Sequence, residues 1–393
     1  MISVRILLCA AVLAAAPNVS FAKTCGGNFN TWMQALKKEA ITKGATKSQA
    51  NSFFRSARID PKVIRADRAQ GVFRLTFSEF AHRAISYSRM ANGKKNMQKY
   101  RKTFAKAQKQ YGVPPAVLTA FWALETDYGA VQGNFNTLNS LITLAHDCRR
   151  PDLFRPQIFA ALKLWKLGEF DPAKTKGAWA GEIGMVQMLP DDILKRGVDG
   201  DGDGYVRLKT SAPDALMTGA RLLRDMGWQA GQPWLVEVSV PKNLNWADTG
   251  LDKTRPVSDW IKDGVRGRSG KLPKAGLQAA LMLPQGRKGP AFLAMPNFFV
   301  YFEWNKSLVY VSTAAYFATR LAGAAPFHKG KPEPALSTST MKTLQRKLQA
   351  RGYDVGKIDG ILGAKTRAAV QKQQIRLGLP ADAWPTIALV KKL

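Results

Sequence analysis

Acidic side chains are scarce in this chain. Its 393 residues include 28 Asp and Glu against 59 Lys and Arg, a formal charge of +31 at pH 7. Such a field favours an anionic partner: nucleic acid, a membrane surface or an acidic polymer. Cysteine is nearly absent, with three copies. Cys9 sits very early and follows Leu7-Leu8 rather than a small residue, which argues against a lipid anchor. His146 lies two positions from Cys148, but no third group is placed to complete a cysteine-protease arrangement. Long apolar runs are missing too. The stretch Ile6 to Ala16 is too short to span a bilayer.

What that stretch does fit is an export leader. Arg5 supplies a positive start, Ile6 to Ala16 the apolar segment, and Ser20-Phe21-Ala22 the small residues for cleavage after Ala22. Removing residues 1–22 takes away one charge, Arg5, and lowers +31 to +30. A protein exported to the periplasm rarely meets nucleic acid, so the expected polyanion is a cell-envelope polymer. Export also permits a disulfide. Cys25 and Cys148 are expected to pair and to tie the N-terminal segment to the catalytic region; the alternative is two free, buried thiols.

The chain is organised around Val113 to Gly129, VPPAVLTAFWALETDYG. Pro114 and Pro115 suit a first helical turn, where the missing N–H costs nothing. Val117, Leu118, Ala120, Phe121, Trp122, Ala123 and Leu124 cover most of the helix circumference, which places it inside a domain. Glu125 stands near its end, and Gly129 is expected to close it. A glutamate at the mouth of a buried helix loses hydration, its pKa rises, and it becomes a candidate general acid for glycoside cleavage. The alternative is an exposed helix-end residue.

Amphipathic spacing predicts helices through residues 29–111, with Phe29, Trp32, Met33 and Leu36 on one face and Phe53, Phe54 and Ala57 on another. Lys94 to Lys109 reads as one basic helix with a solvated face. Helices are again expected from Leu138 to Leu167 and from Asp214 to Met226. From Pro233 the character changes. Leu235 to Val240, Phe292-Leu293 and Phe298 to Phe302 favour strands, so residues 233–303 read as a small β-containing insert. Tyr310 to Leu321 returns to helix. Residues 324–337 form a Pro/Gly/Lys linker, and 338–393 a compact helical module.

Three motifs in order, Glu125-Thr126-Asp127-Tyr128-Gly129, Gly181 to Pro190 and the Asp/Gly run from Asp199, make residues 28–322 resemble the lytic murein transglycosylase B family. The resemblance implies a mainly α (α+β) fold: a lysozyme-like helical catalytic core over 23–323, an added helical region and a small β subdomain. It implies cleavage of the MurNAc–GlcNAc β-1,4 bond of peptidoglycan without water, giving a 1,6-anhydro end. Glu125 would act as acid and then base, with the substrate's N-acetyl group in place of a second carboxylate. Gln187, in Gly-x-x-Gln-x-x-Pro, would bond sugar groups. Asn305 and Tyr310, in Asn-x-Ser-x-x-Tyr, and Asn134 would line the cleft. Two positions depart from the family: Ala178 replaces a serine that helps hold the N-acetyl group, and Glu182 replaces a small residue. Glu182 could be a second acid, a salt-bridge partner for an arginine or a surface side chain.

Asp199, Asp201, Asp203 and Gly204 resemble the start of an EF-hand loop, with the Tyr205 carbonyl at the seventh position. Position 12 is Thr210, and the family closes its site with a later aspartate. Asp214 is that candidate ligand, or else the N-cap of the next helix. One structural calcium ion is the expected cofactor, a metal-free acidic turn the alternative, and no organic cofactor is expected. Residues 338–393 resemble the peptidoglycan-binding type 1 domain, through Leu344-Gln345, Gly352-Tyr353, Asp359-Gly360 and Gly378-Leu379; Gln373 stands where an aromatic is usual. The expected partners are peptidoglycan strands and other cell-envelope proteins, with the protein a monomer that does not bind nucleic acid. The competing reading is a non-catalytic wall-binding scaffold that keeps the fold.

Overall fold

In a computed structural model of the chain, residues 25–69 and 75–393 are described; the leader expected over 1–22 lies outside them. The N-terminal helices begin where side chains cap them. Asn28 accepts from the Thr31 N–H before Phe29–Thr42, and Thr46 with Gln49 forms a capping box before Lys47–Phe53. Trp32, Met33, Leu36, Phe53 and Phe54 are buried together with residues of the helices Thr137–His146 and Pro151–Lys166. Cys25 is bonded to Cys148, with Cα atoms 5.1 Å apart, and the Gly26 N–H donates to the His146 carbonyl. Beside this link the buried Asp67 carboxylate is shared by Arg68, Arg149 and Arg150.

The organising helix spans Pro115–Thr126, and every residue from Ala116 to Ala123 is buried. It packs against Leu308–Leu321 and Tyr87–Lys99. Its end differs from expectation. Asp127, at φ 51°, is the left-handed residue that stops it, and Tyr128 (63°) and Gly129 (88°) continue the turn. Aspartate tolerates this region better than most residues, and Arg89 holds its carboxylate at 3.0 Å. The basic stretch is likewise two helices, Tyr87–Lys99 and Arg101–Tyr111, divided at Tyr100. The division turns Phe104 and Ala107 inward while the lysines stay exposed.

A five-stranded antiparallel sheet stands beside this core, in the order Thr254–Pro256, Gln278–Met282, Ala291–Ala294, Leu235–Ser239, Arg266–Gly267. The strand reading of Phe298 to Phe302 is corrected: these residues lie in a helix, Pro296–Trp304. Aromatic residues favour strands only where a pleated surface lets them pack. Here Pro296 starts a helix, and Tyr301 and Trp304 stack on Phe121 of the organising helix, at 4.9 and 4.3 Å between ring centroids.

Residues 324–337 run without helix or strand but are anchored to the body. The Phe327 N–H donates to the Tyr316 hydroxyl, and the Trp384 indole to the Glu333 carbonyl. The terminal module has three helices, Thr338–Gln349, Ala364–Arg376 and Ile387–Lys392, around Leu344, Leu348, Val370 and Leu389. Gln373 is buried there with its side-chain oxygen unpartnered.

Candidate active site

The last turn of the organising helix delivers Glu125 to a groove of about 890 Å³, whose walls include Leu124, Trp179, Asn305 and Tyr310. Two donors converge on one oxygen of its carboxyl. The Tyr310 hydroxyl donates to Oε1 at 2.5 Å and the Trp304 indole N–H at 2.9 Å. Burial pushes the pKa of Glu125 up to about 7; the Tyr310 and Trp304 hydrogen bonds oppose the rise, and the charge of Glu182 adds to it. The carboxyl is therefore poised to hold or release a proton near neutrality.

The surrounding backbone is fixed by short polar links. Thr126 Oγ1 donates to the Met185 carbonyl at 2.6 Å, joining the organising helix to the segment Gly181–Pro190. Asp127 turns away from Glu125 to Arg89, whose Nη1 also donates to the Ala84 carbonyl. Glycine is required at 133 and 177. A Cβ on Gly133 would lie 2.2 Å from the Gly177 carbonyl oxygen, and one on Gly177 would lie 1.9 Å from that of Glu182. These close approaches fold the 176–183 loop against the short strand pair Phe135–Asn136 and Lys176–Gly177.

Of the residues singled out in the sequence, Tyr310 and Asn305 line this groove, and Glu125 stands beside it, hydrogen-bonded to the Tyr310 hydroxyl. Gln187 is held in a turn at φ 52°, with its amide donating to the Gly184 carbonyl at 2.8 Å and the Gln132 carbonyl at 3.4 Å. Asn134 is exposed in a different groove, with Arg58, Asn136 and Lys176. Ala178 presents no hydroxyl, and its N–H is taken by the Glu182 carbonyl. The salt-bridge and surface readings of Glu182 are corrected: it makes no ion pair among the described residues, and its Oε2 is buried with no hydrogen-bond partner. Burial pushes its carboxyl up from the usual range, against backbone hydrogen bonds and the charge of Arg150. Trp304 was missed by sequence reasoning; its neighbours had been given to a strand, which hides a side chain presented by a helix end.

Asp199, Asp201 and Asp203 bring carboxylate oxygens within 4.8 Å of one another, a donor set that suits a hard cation. Tyr205 continues the same loop and donates its N–H to Asp203. Asp214 is not the N-cap, because Ser211 fills that role. Asp214 is buried and accepts from the backbone N–H groups of Gly200 at 2.9 Å and Arg207 at 2.7 Å, so it staples the loop from behind. No helix among the described residues is long and apolar enough to cross a membrane.

Comparison with known proteins agrees with this layout. Residues 28–319 match the family described as the transglycosylase SLT domain, and residues 337–393 match a peptidoglycan binding domain. The membrane-bound lytic murein transglycosylase B of Escherichia coli K12 is 27% identical over 229 residues, 58% of this chain; the chain spans 62% of that relative's length. Among solved structures, SltB3 from Pseudomonas aeruginosa in complex with NAG-anhNAM-pentapeptide is 35% identical, with a TM-score of 0.85, over 93% of this chain and 99% of that one. The Escherichia coli protein Slt35 in complex with calcium shares the fold, at 24% identity and a TM-score of 0.65, over 76% of this chain and 96% of that one.

Proposed function

Because the chain belongs to the transglycosylase SLT family, we propose that it is a periplasmic lytic transglycosylase cutting the MurNAc–GlcNAc β-1,4 bond of peptidoglycan. The observation that carries this reading is the Glu125 carboxyl, whose pKa near 7 and two donors on a single oxygen leave Oε2 to carry a transferable proton. That proton passes to the glycosidic oxygen as the C1–O4 bond breaks, and the GlcNAc side leaves as an alcohol. The carbonyl oxygen of the 2-acetamido group on MurNAc closes onto C1 and takes up the developing positive charge. Glu125, now a carboxylate stabilised by Tyr310 and Trp304, removes the proton of the C6 hydroxyl. O6 then bonds to C1, displaces the acetamido oxygen and gives the 1,6-anhydro ring. Glu125 ends protonated, ready for another turnover, and water takes no part. In this scheme the substrate's own acetamido group takes the place of a second carboxylate.

The sequence of residues 1–22 supports export to the periplasm, and the C-terminal module suits retention on the wall. The Asp199, Asp201 and Asp203 carboxylates with the Tyr205 carbonyl would hold a calcium ion as a structural brace, since a relative of the same fold was solved with calcium. The test of the chemistry is Glu125→Gln, which preserves shape and the two accepted hydrogen bonds but carries no acidic proton. Mass spectrometry of products from purified sacculi should show anhydro-muropeptides with the wild type and none with the folded variant. Unchanged release by the variant, or hydrolysed ends from the wild type, would overturn the mechanism.

A further inference from the structure

A second cavity, of about 300 Å³, lies between the catalytic body and the C-terminal module. Phe77 and Leu308 of the body, Leu336 of the connecting segment and Leu362 of the module give it apolar walls. Its polar content is of one sign. The helix Ala364–Arg376 opens onto it, with Gly363 as N-cap and no side chain capping its first N–H groups. Its first turns also present Arg367 to the cavity. The Arg367 Nη2 donates to the Pro284 carbonyl at 2.6 Å, and the guanidinium lies 5.6 Å from the centroid of the Trp384 ring. Its Nε is buried and has no partner. Asp382 is close enough to act on Arg367 electrostatically, but its oxygens are taken by Gln374, Trp384 and Arg287. Burial draws the Arg367 pKa down to about 10, so the side chain is still a cation at neutral pH. A desolvated cation beside uncapped helical N–H groups gains most from an anion that accepts hydrogen bonds in a plane, as a carboxylate does.

The cavity adjoins the reaction groove. Lys306 and Ser307 line both, and the same groove carries Tyr310, the donor to Glu125. We propose that this interdomain cavity receives the peptide arm of the strand whose sugar occupies the groove, with a peptide carboxylate on Arg367 and the first turn of Ala364–Arg376. The inference rests on the peptidoglycan reading above and adds to it a specificity site built jointly by the two domains. Small alanine-like methyl groups suit the apolar walls; an uncharged peptide end would leave the cation and the helix end without an acceptor.

The test uses the full chain carrying Glu125→Gln, so that ligands are not turned over, and three probes in calorimetry: a disaccharide-pentapeptide, the same disaccharide without peptide, and the free pentapeptide. The disaccharide-pentapeptide should bind tighter than the bare disaccharide. Arg367→Gln should weaken it about tenfold, the scale of one lost charge-assisted hydrogen bond, and leave the bare disaccharide unchanged. Gly363→Asp provides a check on folding. A Cβ there meets nothing within 4 Å, so the aspartate should cap the helix, hold or raise the melting temperature, and weaken the peptide-bearing ligand by occupying its place. Equal affinity for the two disaccharides, or equal losses for both in Arg367→Gln, would overturn the proposal. If neither disaccharide binds, the peptidoglycan reading itself fails. The cavity is then judged by the free pentapeptide: binding that is lost in Arg367→Gln supports the site, and no binding overturns it.

Discussion

Glu125 places a titratable group where charge is disfavoured, and that choice has a thermodynamic signature. Its pKa rises from 4.5 to about 7 on folding, mainly through burial. The folded protein therefore binds a proton more tightly than the unfolded chain. Stability is highest below the unfolded pKa and declines as pH climbs through the folded one. Two and a half pH units correspond to roughly 3 kcal/mol. Glutamine in place of Glu125 accepts from Tyr310 and Trp304 without ionising. Glu125→Gln should match the wild type in denaturant unfolding near pH 4.5 and exceed it by roughly 3 kcal/mol at pH 8. A gap of the same size at both pH values would mean that Glu125 is not perturbed by the fold. The same residue would then be the wrong acid, because a carboxyl of ordinary pKa is ionised at neutral pH and has no proton to give.

At the scale of elements, the acidic loop 199–205 is pre-shaped by its own backbone. Gly202 N–H donates to Asp199 Oδ1 at 2.6 Å, Gly204 N–H to Oδ2 at 2.8 Å, and Tyr205 N–H to Asp203 at 2.9 Å. Arg207 pairs with Asp203 at 2.5 Å and supplies part of the charge balance. A calcium ion would take over that balance and tie the loop to the start of Ala212–Asp225. At calcium about a hundredfold above its Kd, the gain is about 2.7 kcal/mol, readable as a rise in melting temperature for the wild type and none for Asp201→Ala. Equal shifts in both proteins would remove the metal from the account. This loop was legible in the sequence because its carboxylates alternate with glycines in one short run. So was the catalytic helix, because Pro114, Pro115 and the apolar run act within one element. Trp304 and the helix Pro296–Trp304 were not. Their form is decided by packing on Phe121, some 180 positions away, and local aromatic content pointed to a strand. The break at Tyr100 was hidden for a related reason: the basic residues continue evenly across it, while only Phe104 and Ala107 of the second helix are buried. Glu182 illustrates the same limit, since its burial depends on how Gly133 and Gly177 let two loops meet.

For the molecule as a whole, the decisive feature is that the C-terminal module is docked rather than tethered. Gln371, buried on the module, donates to the Trp246 carbonyl at 3.2 Å, the Thr249 carbonyl at 2.8 Å and the Ala381 carbonyl at 2.9 Å, and accepts from Lys253 Nζ at 2.6 Å. Two of those carbonyls and the lysine belong to the β-containing insert, so this side chain joins the module to the body beside the Arg367–Pro284 and Arg287–Asp382 hydrogen bonds. Fixing the module also fixes the cavity that Arg367 and Leu308 share. The helices Tyr87–Lys99 and Arg101–Tyr111 carry no acidic residue and keep their lysines exposed, so the body has a cationic face of its own. Gln371→Ala strips the seam of a shared partner, takes the donor from the buried Thr249 and Ala381 carbonyls and leaves Lys253 with the Ala247 carbonyl alone, at a cost of about 1–3 kcal/mol. Hydrogen exchange should quicken at residues 246–253 and 364–376 together, and protease should cut within 324–337, while the amides of the helix Pro115–Thr126 keep their protection. Affinity for a peptide-bearing disaccharide should fall with the seam, and that for the bare disaccharide should not. Unchanged exchange on both sides of the seam would show that the two parts hold together without Gln371, and would move the explanation of their fixed orientation to the Arg367–Pro284 and Arg287–Asp382 hydrogen bonds and the anchored segment between the parts.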